Sequence, residues 1–141
     1  MLNDDLKLTG KLTIAINGET VKEVPNLVVT AGKGYVASRM KDTSATAMSH
    51  MAIGSGTTPA AASQTALVSE LARTGLTSTT VSGADIVYVD TFAAGTGTGA
   101  VTEAAILNAS SGGTMLCRTV FSVVNKGAND AMTITWTVTV S

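Results

Sequence analysis

Residues 132–141 read M-T-I-T-W-T-V-T-V-S, and they sort their side chains without exception. Met132, Ile134, Trp136, Val138 and Val140 carry the apolar groups, while Thr133, Thr135, Thr137, Thr139 and Ser141 carry the hydroxyls. Successive side chains of a strand point to opposite faces, so this period of two makes one face wholly apolar and the other wholly hydroxylic. The stretch also holds the only tryptophan in a chain that is 4% aromatic, and a ring of that size belongs where several elements converge. It predicts a half-buried strand around which a β-rich core is arranged.

The neighbouring segments extend that pattern. Thr114–Val124 sets Met115, Cys117, Thr119 and Phe121 against Leu116, Arg118 and Val120, which predicts a long strand, and Asn125–Asp130 is a polar turn. With a strand over Val101–Asn108, the C-terminal part of the chain is expected to form a three-stranded meander. At the other end, Lys11–Val24 predicts a hairpin turning at Asn17-Gly18, the pair that best tolerates two positive φ angles, with Ile14 opposite Val21. Two strands that short are marginal alone, so the hairpin must join a larger sheet or another subunit. Pro25 marks a break or an edge, and Leu27–Val29 resumes a strand.

Thr30–Lys41 reads as a helix capped by Thr30, with Gly32, Val36 and Met40 on one face. Its Gly-Lys-Gly lacks the G-x-x-x-x-G-K-[ST] phosphate-loop pattern, and a close approach of helix to sheet is the better explanation for the glycine. A strand over Ala47–Ile53 leads into a Gly-rich loop. Ser63–Arg73 then reads as a second short helix, with Glu70 and Arg73 in contact on its surface and Gly75 closing it. Strands over Leu76–Val81 and Ile86–Phe92 follow. Ala93–Gly99 has no bulky side chain and reads as a loop that is flexible or lies against something. Some eight strands and one or two short helices, with frequent turns, predict a mainly β fold, an antiparallel β-sandwich or jelly-roll-like barrel. The division expected is an N-terminal arm and hairpin at residues 1–24 and a single β-rich domain at 25–141.

Composition narrows the function. Charged residues make up 13% of the 141, against an ordinary share of about 25%, and small Thr, Ser, Ala and Gly fill the gap. Such a surface docks against neighbours without desolvating many ions. A net charge of −1 and the lack of any basic run give no general attraction to nucleic acid or to an anionic membrane. No run approaches the roughly 18 apolar residues of a membrane helix, and the acids in M-L-N-D-D-L-K-L-T-G do not suit a signal peptide, so folding in a cytosol is expected. With one cysteine, Cys117, there is no disulfide framework.

Catalytic residues do not stand out. His50 is the only histidine, lies between Met48 and Met51, and reads as structural; with Cys117 far away in sequence, a transition-metal site is not expected. Most acids fall in turns or termini. Asp90 and Glu103 interrupt apolar strand patterns, and as buried charges they are expected to pair with Arg118, Arg73 or Arg39. No cofactor is called for.

Five segments in order carry a resemblance: N-L-V-V-T-A-G-K at 26–33, A-I-G-S-G-T-T-P-A-A at 52–61 with T-A-L and a closing Arg73, T-E-A at 102–104, S-G-G-T-M-L-C-R-T-V-F at 111–121, and T-I-T-W-T at 133–137. Together they resemble a family of small tailed-bacteriophage virion proteins of the head-decoration or tail-fibre-like kind, over about residues 26–141. The resemblance implies a non-enzymatic, oligomeric structural module. A compact domain without a fibrous repeat favours a capsid decoration or cement protein on the virion surface, a homotrimer bound to the phage major capsid protein. A tail-fibre or receptor-binding module is the alternative. Contacts are expected at the N-terminal arm, through Leu2, Leu6 and Leu8, and at the loops containing Gly54, Gly56, Thr57 and Pro59 and containing Gly95, Gly97 and Gly99.

Overall fold

The computed structural model describes residues 6–41 and 45–141. In chain order the elements are β1 (Leu8–Ile16), β2 (Glu19–Pro25), β3 (Leu27–Val28), α1 (Thr30–Lys41), β4 (His50–Gly54), β5 (Glu70–Gly75), β6 (Ser78–Ser82), β7 (Asp85–Phe92), β8 (Gly99–Leu107), β9 (Met115–Lys126) and β10 (Met132–Val140). They form two five-stranded antiparallel sheets, ordered β2-β1-β10-β7-β6 and β3-β9-β8-β4-β5. The fold is a β-sandwich with one short helix among the described residues.

The closing strand β10 is the centre of the first sheet, paired with β1 over Met132–Val140 and with β7 over Met132–Thr139. Met132, Ile134, Trp136 and Val138 are buried between the sheets, while Thr135 stays exposed on the outer face. Trp136 is paired with Leu12 on one side and Tyr88 on the other, and all three belong to the main core. From the second sheet Met51, Ile53, Ile106, Cys117 and Phe121 meet them. Cys117 is a fully buried core residue whose thiol pKa is pushed up by that burial.

The meander expected at the C-terminus does not form. β8 and β9 are a hairpin of the second sheet, but β10 crosses to the first, because β1 and β7 already occupy both of its edges. Residues 127–131 make that crossing. Gly127 N donates to Asp130 Oδ2 (2.8 Å), and Asn17 holds Asp130 Oδ1 (2.9 Å) and the Ala131 N–H (2.9 Å), tying this turn to the first hairpin.

The first hairpin turns at Asn17 (φ 51) and Gly18 (φ 85), as their tolerance of positive φ requires. Its register differs from the simple expectation. Ile14 pairs with Lys22 and Ala15 with Thr20, so Val21 is the extra residue of a bulge and is 46% exposed. The hairpin joins the first sheet, with Leu12 and Ile14 in the core.

Helix α1 touches the second sheet through Gly32, its only buried residue. A Cβ there would lie 2.1 Å from the Leu116 carbonyl oxygen, so glycine is what lets the helix approach. The second helix is absent: residues 63–69 are irregular and Glu70–Gly75 pairs with β4 as an edge strand. A bulge opposite Ile53 and Gly54 shifts the alternation of β5, which brings Glu70 and Arg73 to one side of a strand.

Truncation at the centre of the first sheet should separate its two faces energetically. Ile134→Ala should lower stability by about 2–5 kcal/mol, and Thr135→Ala should stay within about 0.5 kcal/mol, as read from urea unfolding midpoints.

Candidate functional site: a loop platform on a buried ion pair

Residues 55–69 cross the outer face of the second sheet with no strand or helix of their own, and they contain no charged side chain. Irregular backbone over a sheet must find partners for its polar groups. Here those partners are Glu103 and Arg118, on adjacent strands β8 and β9, with both side chains fully inaccessible to solvent.

Glu103 accepts from three backbone amides and the Arg118 guanidinium. Gly56 N (2.8 Å) and Ser69 N (2.8 Å) donate to Oε2, while Val68 N (2.9 Å) and Arg118 Nε (3.1 Å) and Nη2 (2.9 Å) donate to Oε1. The next residue back completes the hold on Gly56, because Thr102 Oγ1 donates to its carbonyl at 2.8 Å. Consecutive side chains of a regular strand would point apart, and the irregularity in pairing between Val101 and Glu103 is what lets both reach one loop residue. Gly54 and Gly56 leave room for the carboxylate, since a Cβ at either would lie 2.6 or 2.5 Å from Oε2.

Arg118 reaches further along the loop. Nη1 donates to Gln64 Oε1 (2.9 Å) and Nη2 to the Thr58 carbonyl (3.1 Å). Gln64 in turn accepts from Ala61 N (3.0 Å) and donates to the Pro59 carbonyl (3.1 Å). Below the loop, Ala52, Ala105, Leu107, Met115 and Val29 form a second small core, joined by Leu67. The backbone amides that a helix over 63–73 would have used internally are spent on Glu103, from a strand more than thirty residues away.

Burial of the Glu103 carboxyl raises its pKa, but the Val68, Ser69 and Gly56 amides and the Arg118 guanidinium outweigh that and hold it below the ordinary range. Both side chains are sealed from solvent. What the pair supplies is a fixed loop.

Other buried charges act likewise. Lys126 is 1% exposed and donates to the Ala93 carbonyl (2.8 Å), anchoring the loop that contains Gly95 and Gly97, while Gly99 opens β8 opposite Lys126. Asp90, expected to meet an arginine, instead accepts from Thr74 Oγ1 (2.5 Å), and burial raises its pKa. Arg73 pairs with Glu70 (2.8 Å) and Arg39 donates to the Ala45 carbonyl (2.8 Å), so neither is available to Asp90. His50 is half-buried, with Nδ1 2.7 Å from the Ser49 hydroxyl of the preceding residue. Among the described residues no group of three or more His, Cys, Asp or Glu side chains is placed to hold a metal ion.

The expected contact residues fall into distinct settings. Thr57 and Pro59 are exposed at the rim of a shallow cleft of about 410 Å³, whereas Gly54 and Gly56 are buried around Glu103 and offer no surface. Gly95 is exposed, and Gly97 and Gly99 are half-buried. Leu6 is exposed and Leu8 half-buried beside the Val36 and Met40 side of α1, while Leu2 lies outside the described residues. The roles of Thr102, Gln64 and Lys126 escaped the sequence reading. An interrupted apolar pattern marked only Glu103 and Asp90.

No family model, curated protein or solved structure matches this chain.

Glu103→Gln should cost about 3–5 kcal/mol at pH 7, because it leaves Arg118 as an uncompensated buried charge. A depressed folded pKa gives stability that is complete above the unfolded carboxyl value of about 4.3 and lost as pH falls through the folded value. The gap between wild type and variant should therefore narrow as pH drops below about 4, which paired urea titrations at pH 7 and pH 3 would measure. Replacing both Glu103 and Arg118 by apolar residues should recover only part of the loss, since the Gly56, Val68 and Ser69 amides would remain without a partner.

Proposed function

We propose that this chain is a non-enzymatic structural protein of a tailed-phage virion, a decoration or cement protein that binds the outer surface of the head lattice as a homotrimer and braces it. One observation carries the reading: three of the five segments behind the virion-protein resemblance are chemically one device. The A-I-G-S-G-T-T-P-A-A loop is held by Thr102 and Glu103 of the T-E-A segment and by Arg118 of the S-G-G-T-M-L-C-R segment. Such a device serves docking rather than turnover.

A loop already fixed in the free protein loses little conformational freedom on binding, and its small uncharged residues shed water at low cost. Thr57, Thr58, Pro59 and Ala61 are the exposed members. Many such modest contacts repeated over a symmetric shell add up through multivalency to a strong brace.

Copy number in purified particles tests this most simply. A cement protein should be present at on the order of hundreds of copies, whereas tens at most would indicate a tail-fibre or receptor-binding module. Thr57→Glu with Pro59→Glu should reduce occupancy of isolated heads at least about tenfold, by placing charges in the contact, without lowering the unfolding midpoint of the free protein.

A further inference from the structure

The four sheet edges are not equally guarded. Free strand edges present unpaired backbone groups, and proteins blunt them with charge, proline, bulges or shortness. Edge strand β2 carries Glu19, Lys22, Glu23, Pro25 and a bulge, and Lys22 reaches across to Ser122 of the other sheet. Edge strand β5 carries the Glu70–Arg73 pair and a bulge, and β3 is two residues long. Strand β6, S-T-T-V-S, has none of these devices: it is uncharged, unbroken in register against β7, and exposed at every residue.

Its free side adjoins an open apolar groove. Thr79 and Val81 line a cleft of about 340 Å³ with Tyr35, Val36, Ile86 and Tyr88, with Arg39 as its one charged lining residue, and Val81 is 70% exposed there. The β6–β7 hairpin closes at Ser82 and Asp85 around a two-residue turn, where the closing pair is the hydrogen-bonded one. Alternation then directs the backbone groups of Ser82, Thr80 and Ser78 toward β7 and those of Thr79 and Val81 outward.

We propose that β6 is a self-association edge, at which two copies of this chain pair their β6 strands antiparallel about a twofold axis at Thr80. The sequence is its own complement in that register. Ser78 falls opposite the partner's Ser82, and Thr79 falls opposite the partner's Val81, a side chain of nearly the same shape. Both outward-directed residues then gain a hydrogen-bonding partner strand, neither strand brings a charge to the pairing, and each Val81 is covered on the groove side. The two first sheets become one continuous sheet. Where the chain also forms threefold rings, this contact joins ring to ring.

The test uses the free protein, so its outcome does not depend on whether the chain binds phage heads. At the axis two Thr80 residues form a non-hydrogen-bonded pair, with Cα atoms about 4.5 Å apart, within the span of a disulfide. Thr80→Cys should give a disulfide-linked dimer under mild oxidation at least about tenfold faster than Val21→Cys on the guarded β2 edge. Cys117 is fully buried and does not compete. Val81→Lys, at an exposed position, should lower the sedimenting mass relative to wild type with an unchanged far-ultraviolet circular dichroism spectrum. Wild-type protein that sediments as a single chain, cross-linking of Thr80→Cys no faster than the control, or undiminished association of Val81→Lys would overturn the proposal.

Discussion

One ion pair on which a surface rests is the Glu103–Arg118 contact, closed at 2.9 Å with both side chains out of solvent. Desolvating two such charges is expensive, and their mutual attraction offsets that only when the remaining donors and acceptors are also satisfied. Here they are satisfied by the loop itself. Three backbone amides, two carbonyls and the Gln64 side chain take part, counting the Thr102 bond to Gly56. Loop and ion pair therefore stabilise each other, and neither arrangement is favourable alone.

The same logic recurs at lower cost elsewhere in the sandwich. Lys126 ties down the Ala93 end of a second Gly-rich loop, and Thr74 meets Asp90 between β5 and β7. A chain with few charged residues has placed several of them inside, where each orders a connection between strands. The surface that remains is correspondingly poor in charge and rich in Thr, Ser, Ala and Gly, so little charge has to be desolvated in any contact it makes.

Much of this was legible from periodicity. The alternation over Met132–Ser141 marked a strand with one core face, Asn17-Gly18 marked a turn, and Gly32 marked a close helix approach, since each is a local property of the residues concerned. What escaped was non-local. The Ser63–Arg73 segment has helix-like spacing, but Glu103 claims its Val68 and Ser69 amides from another strand. The β9–β10 connection is short enough for a meander, yet β10 is taken by β1 and β7, whose pairing no local pattern announces. Asp90 and Glu103 looked alike as interruptions of apolar strands. Only their surroundings separate them: Glu103 meets an arginine and has its pKa lowered, whereas Asp90 meets threonines and has its pKa raised.

Amide hydrogen exchange at Gly56, Val68 and Ser69 tests the central claim most directly, because these three N–H groups lie in a segment without helix or strand and would ordinarily exchange quickly. If the buried carboxylate holds the loop, all three exchange nearly as slowly as the amides of β8 and β10, requiring global unfolding to open. Exchange at the rate of an open surface loop, with β8 still protected, would contradict the account.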